Sequence, residues 1–96
     1  MKDLQEIKQL LLDNKERLFT EYPIKAIGLF GSYARQEETS TSDIDILVEF
    51  NGPIGLAFID LAEDLEKCFG QKVDLVSRNG IKPKYFNAIK KDLVYV

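Results

Sequence analysis

Residues 31–49, GSYARQEETSTSDIDILVE, decide how the rest of this chain is read. They follow an apolar run, open on the pair Gly31-Ser32 and cross a polar segment of Thr, Ser and Glu. They then enter a second apolar run that carries Asp43 and Asp45. Successive side chains of a strand alternate between its faces. Asp43, Asp45, Leu47 and Glu49 therefore share one face, and Ile44, Ile46, Val48 and Phe50 form the candidate core set on the other. Two neighbouring carboxylates repel each other, and at neutral pH that repulsion favours a bound divalent cation. A Gly-Ser turn at a helix start offers backbone N–H groups and a hydroxyl to an anion. Metal and phosphate together are the chemistry of nucleotides.

Each signal has a plain structural alternative. Ser before a helical turn is commonly a cap, expected here for a short helix from Tyr33 to Gln36. Alternating Asp residues also occur on exposed strand edges. Asp disfavours strands, however, and both lie in a strongly apolar run. The preceding loop, Glu37 to Ser42, is rich in hydroxyls able to hold backbone and carboxylates in place. An EF-hand calcium loop does not fit, because Leu47 falls at the next ligand position and no Gly or distal Glu follows.

On the N-terminal side, Lys2 to about Phe19 places Leu4, Ile7, Leu11 and Leu18 on one stripe, as in an amphipathic helix. Tyr22-Pro23 ends it, since the residue before a proline avoids the helical region. Ile24 to Phe30 is expected to be a strand covered on both sides, apolar except for Lys25. Gly28 within it marks either a close backbone approach or a bulge.

On the C-terminal side, Asp43 to Phe50 is the second expected strand and Asn51-Gly52-Pro53 a turn. A helix from Ile54 to Phe69 follows, with Phe58, Leu61, Ala62, Leu65 and Phe69 on one face and Gly70 as its stop. Lys72 to Ser77 is the third strand, and a helical crossover makes it parallel to the second and its neighbour. Asp74 would then lie beside Asp43 and Asp45, although one Asp in a strand reads equally as site or surface. Pro83 suits the first turn of a last helix, Lys84 to Lys91. Leu93 to Val96 is a candidate short edge strand.

Ninety-six residues bound this to one domain, 1–96, with a single core. No run approaches the roughly 20 apolar residues of a membrane span, and the polar start MKDLQEIKQ is unlike a signal peptide. A cytoplasmic protein is expected. The single Cys68 is expected to pack as a small hydrophobe. With no His, the usual zinc sites and His-based acid–base catalysis fall away. The net charge is −3, but residues from Lys72 onward carry +4 and the first seventy-one −7. An acidic chain is a poor binder of bare nucleic acid. The basic end reads first as a solvated face, and second as a contact for phosphates or an acidic partner.

Gly31-Ser32, ten residues, then Asp43-Ile44-Asp45 resembles the nucleotidyltransferase motif of the DNA polymerase β superfamily. The fuller string GSYAR…SDIDILVEF is similar to the minimal nucleotidyltransferase (MNT) branch, short antitoxins paired with HEPN-type toxins, over nearly the whole chain. One departure is visible: that branch usually has Gly after the Arg, where this chain has Gln36. The resemblance implies an α/β (α+β) fold, with a small mixed three-stranded sheet packed with about four helices. It also implies that Asp74, in its Val-Asp-Leu setting, is the third carboxylate.

The reaction expected is phosphoryl-type transfer with two Mg²⁺ ions held by Asp43, Asp45 and Asp74. Gly31 and Ser32 would cradle phosphates, and Arg35 would reach a phosphate or form a helix-surface ion pair. The resemblance favours ATP. Three functions follow: an antitoxin enzyme transferring AMP to a hydroxyl, a tyrosine, of a HEPN-type toxin; a nucleotidyltransferase acting on a small molecule such as an aminoglycoside; and an antitoxin that acts by binding alone. The carboxylate triad argues against the third and the short chain against the second.

Overall fold

The computed structural model describes residues 2–96. Its elements run α1 (Leu4–Glu21), β1 (Ile24–Phe30), α2 (Gly31–Ala34), β2 (Ile44–Phe50), α3 (Ala57–Phe69), β3 (Val73–Ser77), α4 (Pro83–Lys90) and β4 (Val94–Tyr95). The strands form one mixed sheet in the order β3-β2-β1-β4. β1 is antiparallel to β2 and to β4, and β2 is parallel to β3. The sheet thus has four strands where three were expected. The candidate edge segment pairs through Val94 and Tyr95 with Leu29 and Gly28, and Val96 N–H adds a bond to Ile27 C=O at 3.0 Å.

Capping chemistry sets the limits of α1. Asp3 accepts from the Glu6 N–H at 2.9 Å, so the helix starts at Leu4 rather than Lys2. It runs past Phe19 to Glu21 and stops where Tyr22 turns extended before Pro23. α3 starts at Ala57, three residues later than expected, because Gly55 takes a positive φ of 57° just ahead of it. Gly70, at φ 64°, ends α3 in the left-handed conformation that favours glycine.

The apolar stripes of both long helices cover one sheet face. Leu4, Ile7, Leu11 and Leu18 of α1 join Leu61, Leu65 and Phe69 of α3 against Ile27, Leu29, Ile44, Ile46, Val48 and Phe50. Beyond this core the two helices are clasped by charge. The Arg17 guanidinium forks onto Asp64 at 2.7 and 2.9 Å, and Tyr22 Oη donates to the same carboxylate at 3.0 Å. Cys68 lies beside the clasp, with Arg17 Nη2 3.5 Å and Asp64 Oδ1 3.7 Å from its Sγ. It is half-buried at a polar seam rather than packed in the core.

The opposite face carries Asp45, Leu47, Glu49, Gly28 and Asp74, by register. Leu47 is buried there, outside the main core cluster. Gly28 shows why the C-terminal segment can lie so close. A Cβ on it would stand 2.9 Å from Leu93 Cδ1 and 3.0 Å from Val94 O. The sheet's irregularity lies instead between Ile24 and Ala26. Of the two readings open for Gly28, close approach is the one observed. Arg78 stacks on Phe86 at 3.8 Å from the ring centroid and ties α4 back to the end of β3.

Candidate functional site

β1 delivers the chain to Gly31, whose φ of 73° turns it directly into the single turn of α2. The last residue of β1, Phe30, pairs with Asp45 on β2, so the turn is brought against that carboxylate. A Cβ on Gly31 would overlap Asp45 Oδ2 and come within 2.9 Å of Cγ. Glycine is therefore required twice at this position, for its φ and for the space that Asp45 occupies.

Ser32 is not the helix cap that its sequence position suggested. The cap position is Phe30, which makes no side-chain bond, and Ser32 lies inside the turn. Its backbone carbonyl accepts from the Glu37 N–H at 2.8 Å. Tyr33, next along, is buried, and its hydroxyl accepts from Gln71 Nε2 at 2.8 Å. That bond pegs the Gly31-Ser32 turn to the segment leading into β3, three residues before Asp74. Sequence alone carried no signal for Gln71. For Tyr33 the signal was a lone aromatic in a polar stretch.

α2 ends earlier than the expected helix, at Ala34, and Gln36 follows at φ 58°. This is the position where the resembled branch has Gly, and the chain keeps the left-handed turn with a side chain that disfavours it. The Gln36 N–H donates to Tyr33 C=O at 3.1 Å.

The carboxylates meet through strand register. Asp45 and Asp74 are directly paired across β2 and β3. The Asp45 carboxyl is pushed up to about 6, by burial first, then by the charges of Asp74 and Asp43 and a hydrogen bond with Asp74. Arg35 pulls the other way. Asp43 is exposed and one residue ahead of β2, which begins at Ile44. The structure thus joins Asp45 to Asp74 and leaves Asp43 at the rim. Among the described residues no three ligating side chains converge on one point. The Thr and Ser hydroxyls of the loop bond within it, Thr39 N–H to Ser42 Oγ at 2.9 Å and Thr39 Oγ1 to Thr41 Oγ1 at 3.2 Å, and so shape its backbone.

Arg35 forms the ion pairs that were one of its two expected roles. Its Nη1 is 3.0 Å from Asp92 Oδ2 and its Nε 3.3 Å from Glu37 Oε2. Its charge still reaches Asp45. Asp92, brought in by the segment between α4 and β4, had no sequence signal.

A glycine turn whose Gly31 and Ser32 N–H groups have no partner among the described residues, beside paired, mutually repelling carboxylates, suits a metal-bound phosphate chain. The family model described as "Nucleotidyltransferase domain" matches residues 5–96. The chain belongs to this nucleotidyltransferase family. Among similar proteins, MJ1379 of Methanocaldococcus jannaschii, provisionally named a protein adenylyltransferase, is 48% identical over the whole of both chains. Protein adenylyltransferase MntA of Thermococcus cleftensis is 40% identical, over all of this chain and 98% of that protein.

Solved structures agree with the nucleotidyltransferase fold. One provisionally identified as a minimal nucleotidyltransferase superposes with a TM-score of 0.80 at 28% identity, covering 97% of this chain and 95% of that one. A toxin–antitoxin structure with AMP-PNP gives 0.72 at 26%, covering 98% and 72%. The Shewanella oneidensis complex of a tri-AMPylated HEPN toxin with its MNT antitoxin gives 0.61 at 26%, covering 96% and 66%. These likenesses bear out the α/β class. The nucleotidyltransferase sheet has one strand more than expected.

Proposed function

We propose that this nucleotidyltransferase is an antitoxin that moves AMP from ATP to a tyrosine hydroxyl of a cognate HEPN-type partner and so neutralises it. The observation that carries this reading is the Asp45–Asp74 pair set against the Gly31 turn. Support for the acceptor comes from relatives named protein adenylyltransferase and from the likeness to the AMPylated toxin complex. ATP as donor is in keeping with the likeness to the AMP-PNP structure. Residues 1–96 act as one catalytic unit in this reading, and its place is the cytoplasm. No described helix is long and apolar enough to cross a membrane.

The donor set fits Mg²⁺, since carboxylate oxygens are hard ligands, and a cation would relieve the burial and the charges of Asp74 and Asp43 that outweigh Arg35 and hold Asp45 toward protonation. An open set also suits an ion that keeps waters and takes substrate phosphates. Asp43, Asp45 and Asp74 would hold it, and bound there it would offset the charge gathering on the phosphates in the transition state. Gly31 and Ser32 bind the β- and γ-phosphates through backbone N–H groups and the Ser32 hydroxyl. Arg35 exchanges an acidic partner for a phosphate oxygen. The acceptor oxygen attacks the α-phosphorus and forms the new O–P bond. The bond from that phosphorus to the bridging oxygen breaks, pyrophosphate leaves, and the hydroxyl proton passes to Asp74.

Incubation of the purified pair with ATP and Mg²⁺, followed by mass spectrometry, tests the reading. The partner should gain AMP on a tyrosine and lose its own activity. A partner that is inhibited but unmodified would replace it with an antitoxin that acts by binding alone. Efficient modification of an aminoglycoside would replace it with a small-molecule enzyme.

A further inference from the structure

β3 is an outer strand, and its free side is defined by the bonds on its paired side. Lys72 C=O accepts from Ile44 N–H at 3.0 Å, and Arg78 N–H donates to Val48 C=O at 2.8 Å. Alternate residues of a parallel strand turn their backbone groups to opposite sides. Val73, Leu75 and Ser77 therefore face outward. Two of their groups are occupied: Val73 N–H donates to Glu66 Oε2 at 3.0 Å, and Ser77 C=O accepts from Gly80 N–H at 3.2 Å. Val73 C=O, both groups of Leu75 and Ser77 N–H have no protein partner among the described residues.

Beside this row lies an open hollow of about 430 Å³, walled by Leu75, Ser77, Ile81, Lys82 and Tyr85. Tyr85 is 58% exposed. Unpaired strand donors and acceptors next to an apolar hollow are the two parts of strand-addition recognition, backbone for affinity and pocket for selectivity. A strand added outside β3 would run about 4.8 Å from it and continue the face that carries Asp45 and Asp74. One of its side chains would then stand beside Asp74. The surroundings are basic, with Lys82 and Lys84 exposed and a net of +4 from Lys72 onward. A second copy would bring the same lysines to the same edge, whereas a segment with acidic flanks is complementary.

We propose that the outer edge of β3 takes up an extended segment of the protein being modified as a fifth strand. An apolar side chain of that segment fills the hollow, acidic neighbours face Lys82 and Lys84, and the acceptor hydroxyl is set beside Asp74. This rests on the adenylyl-transfer reading above and adds how the acceptor is held.

The test uses the full chain with its co-purified partner, and Ser77→Pro and Lys82→Glu/Lys84→Glu variants. Proline at Ser77 removes an outward N–H and leaves the β2 side of the ladder intact. Both variants should bind ATP and Mg²⁺ alone as wild type does, while kcat/KM for partner modification falls at least tenfold, through KM. In wild type, the Leu75 and Ser77 amides should exchange slowly in the complex and fast in the free chain. Unprotected amides in a complex that still modifies its partner would overturn the proposal, as would wild-type rates in both variants. Protection in the free chain that grows with concentration would assign the edge to a second copy instead. If Ser77→Pro fails to fold, amide exchange and the charge reversal decide. If these amides are protected but no AMP is transferred, the docking stands and the adenylyl-transfer reading falls.

Discussion

The carboxyl of Asp45 is raised because burial and two acidic neighbours outweigh Arg35. The folded chain therefore holds that proton more tightly than the unfolded chain does. Its ionised form opposes folding above about pH 6, and this is relieved as pH falls toward the ordinary value of 3.8. Asp45→Asn should abolish transfer yet stabilise the metal-free protein at pH 7.5 by about 1 kcal/mol, after allowing for solvent screening. Urea unfolding of both proteins should show that advantage shrinking by pH 4.5. Gln36→Gly should also stabilise, by about 0.5–1 kcal/mol in thermal unfolding, since a left-handed non-glycine residue is strained. The candidate residues Gly31, Ser32, Asp43 and Asp45 could be named from sequence because motif spacing and side-chain alternation are local properties, and Asp74 joined them through the resemblance. Asp92 and Gln71 were not, since only the tertiary fold brings them to Arg35 and Tyr33.

Between elements, the clasp of Arg17 and Tyr22 on Asp64 holds α1 to α3 over the core. The Arg17 hydrogen bond, foremost, keeps the Asp64 carboxyl below its usual range, with Tyr22 helping and burial opposing. A lowered carboxylate adds stability above its unfolded pKa and loses it as pH falls through the folded one. Asp64→Asn should therefore cost about 1 kcal/mol at pH 7 and progressively less in acid, as read by denaturant midpoints. The parallel pairing of β2 and β3 was legible from the helical crossover between them. The ends of α1 and α3 were set by Asp3 and Gly55, where local capping and turn geometry override the apolar stripe.

At the scale of the whole molecule, β4 was the element least written in the sequence. Two residues show no periodicity, and Val94–Tyr95 becomes a strand because Gly28 lets the chain lie close to β1. The uneven charge, by contrast, was visible from composition. Divalent metal and nucleotide should act together on the entire fold. ATP alone, or Mg²⁺ or Mn²⁺ alone, should shift the unfolding temperature little. The pair together at 100 times the Kd should add about 2.7 kcal/mol. Nucleotide affinity indifferent to divalent metal in calorimetry would remove the metal from the site.

The seam between α1 and α3 also carries the chain's one thiol. Burial, and then the charge of Asp64, push the Cys68 thiol up, so at neutral pH it stays protonated and a poor nucleophile. Maleimide should label the native protein slowly and the Asp64→Asn variant faster. A single cysteine then serves as a built-in reporter of helix separation, read by alkylation rate without any added probe site.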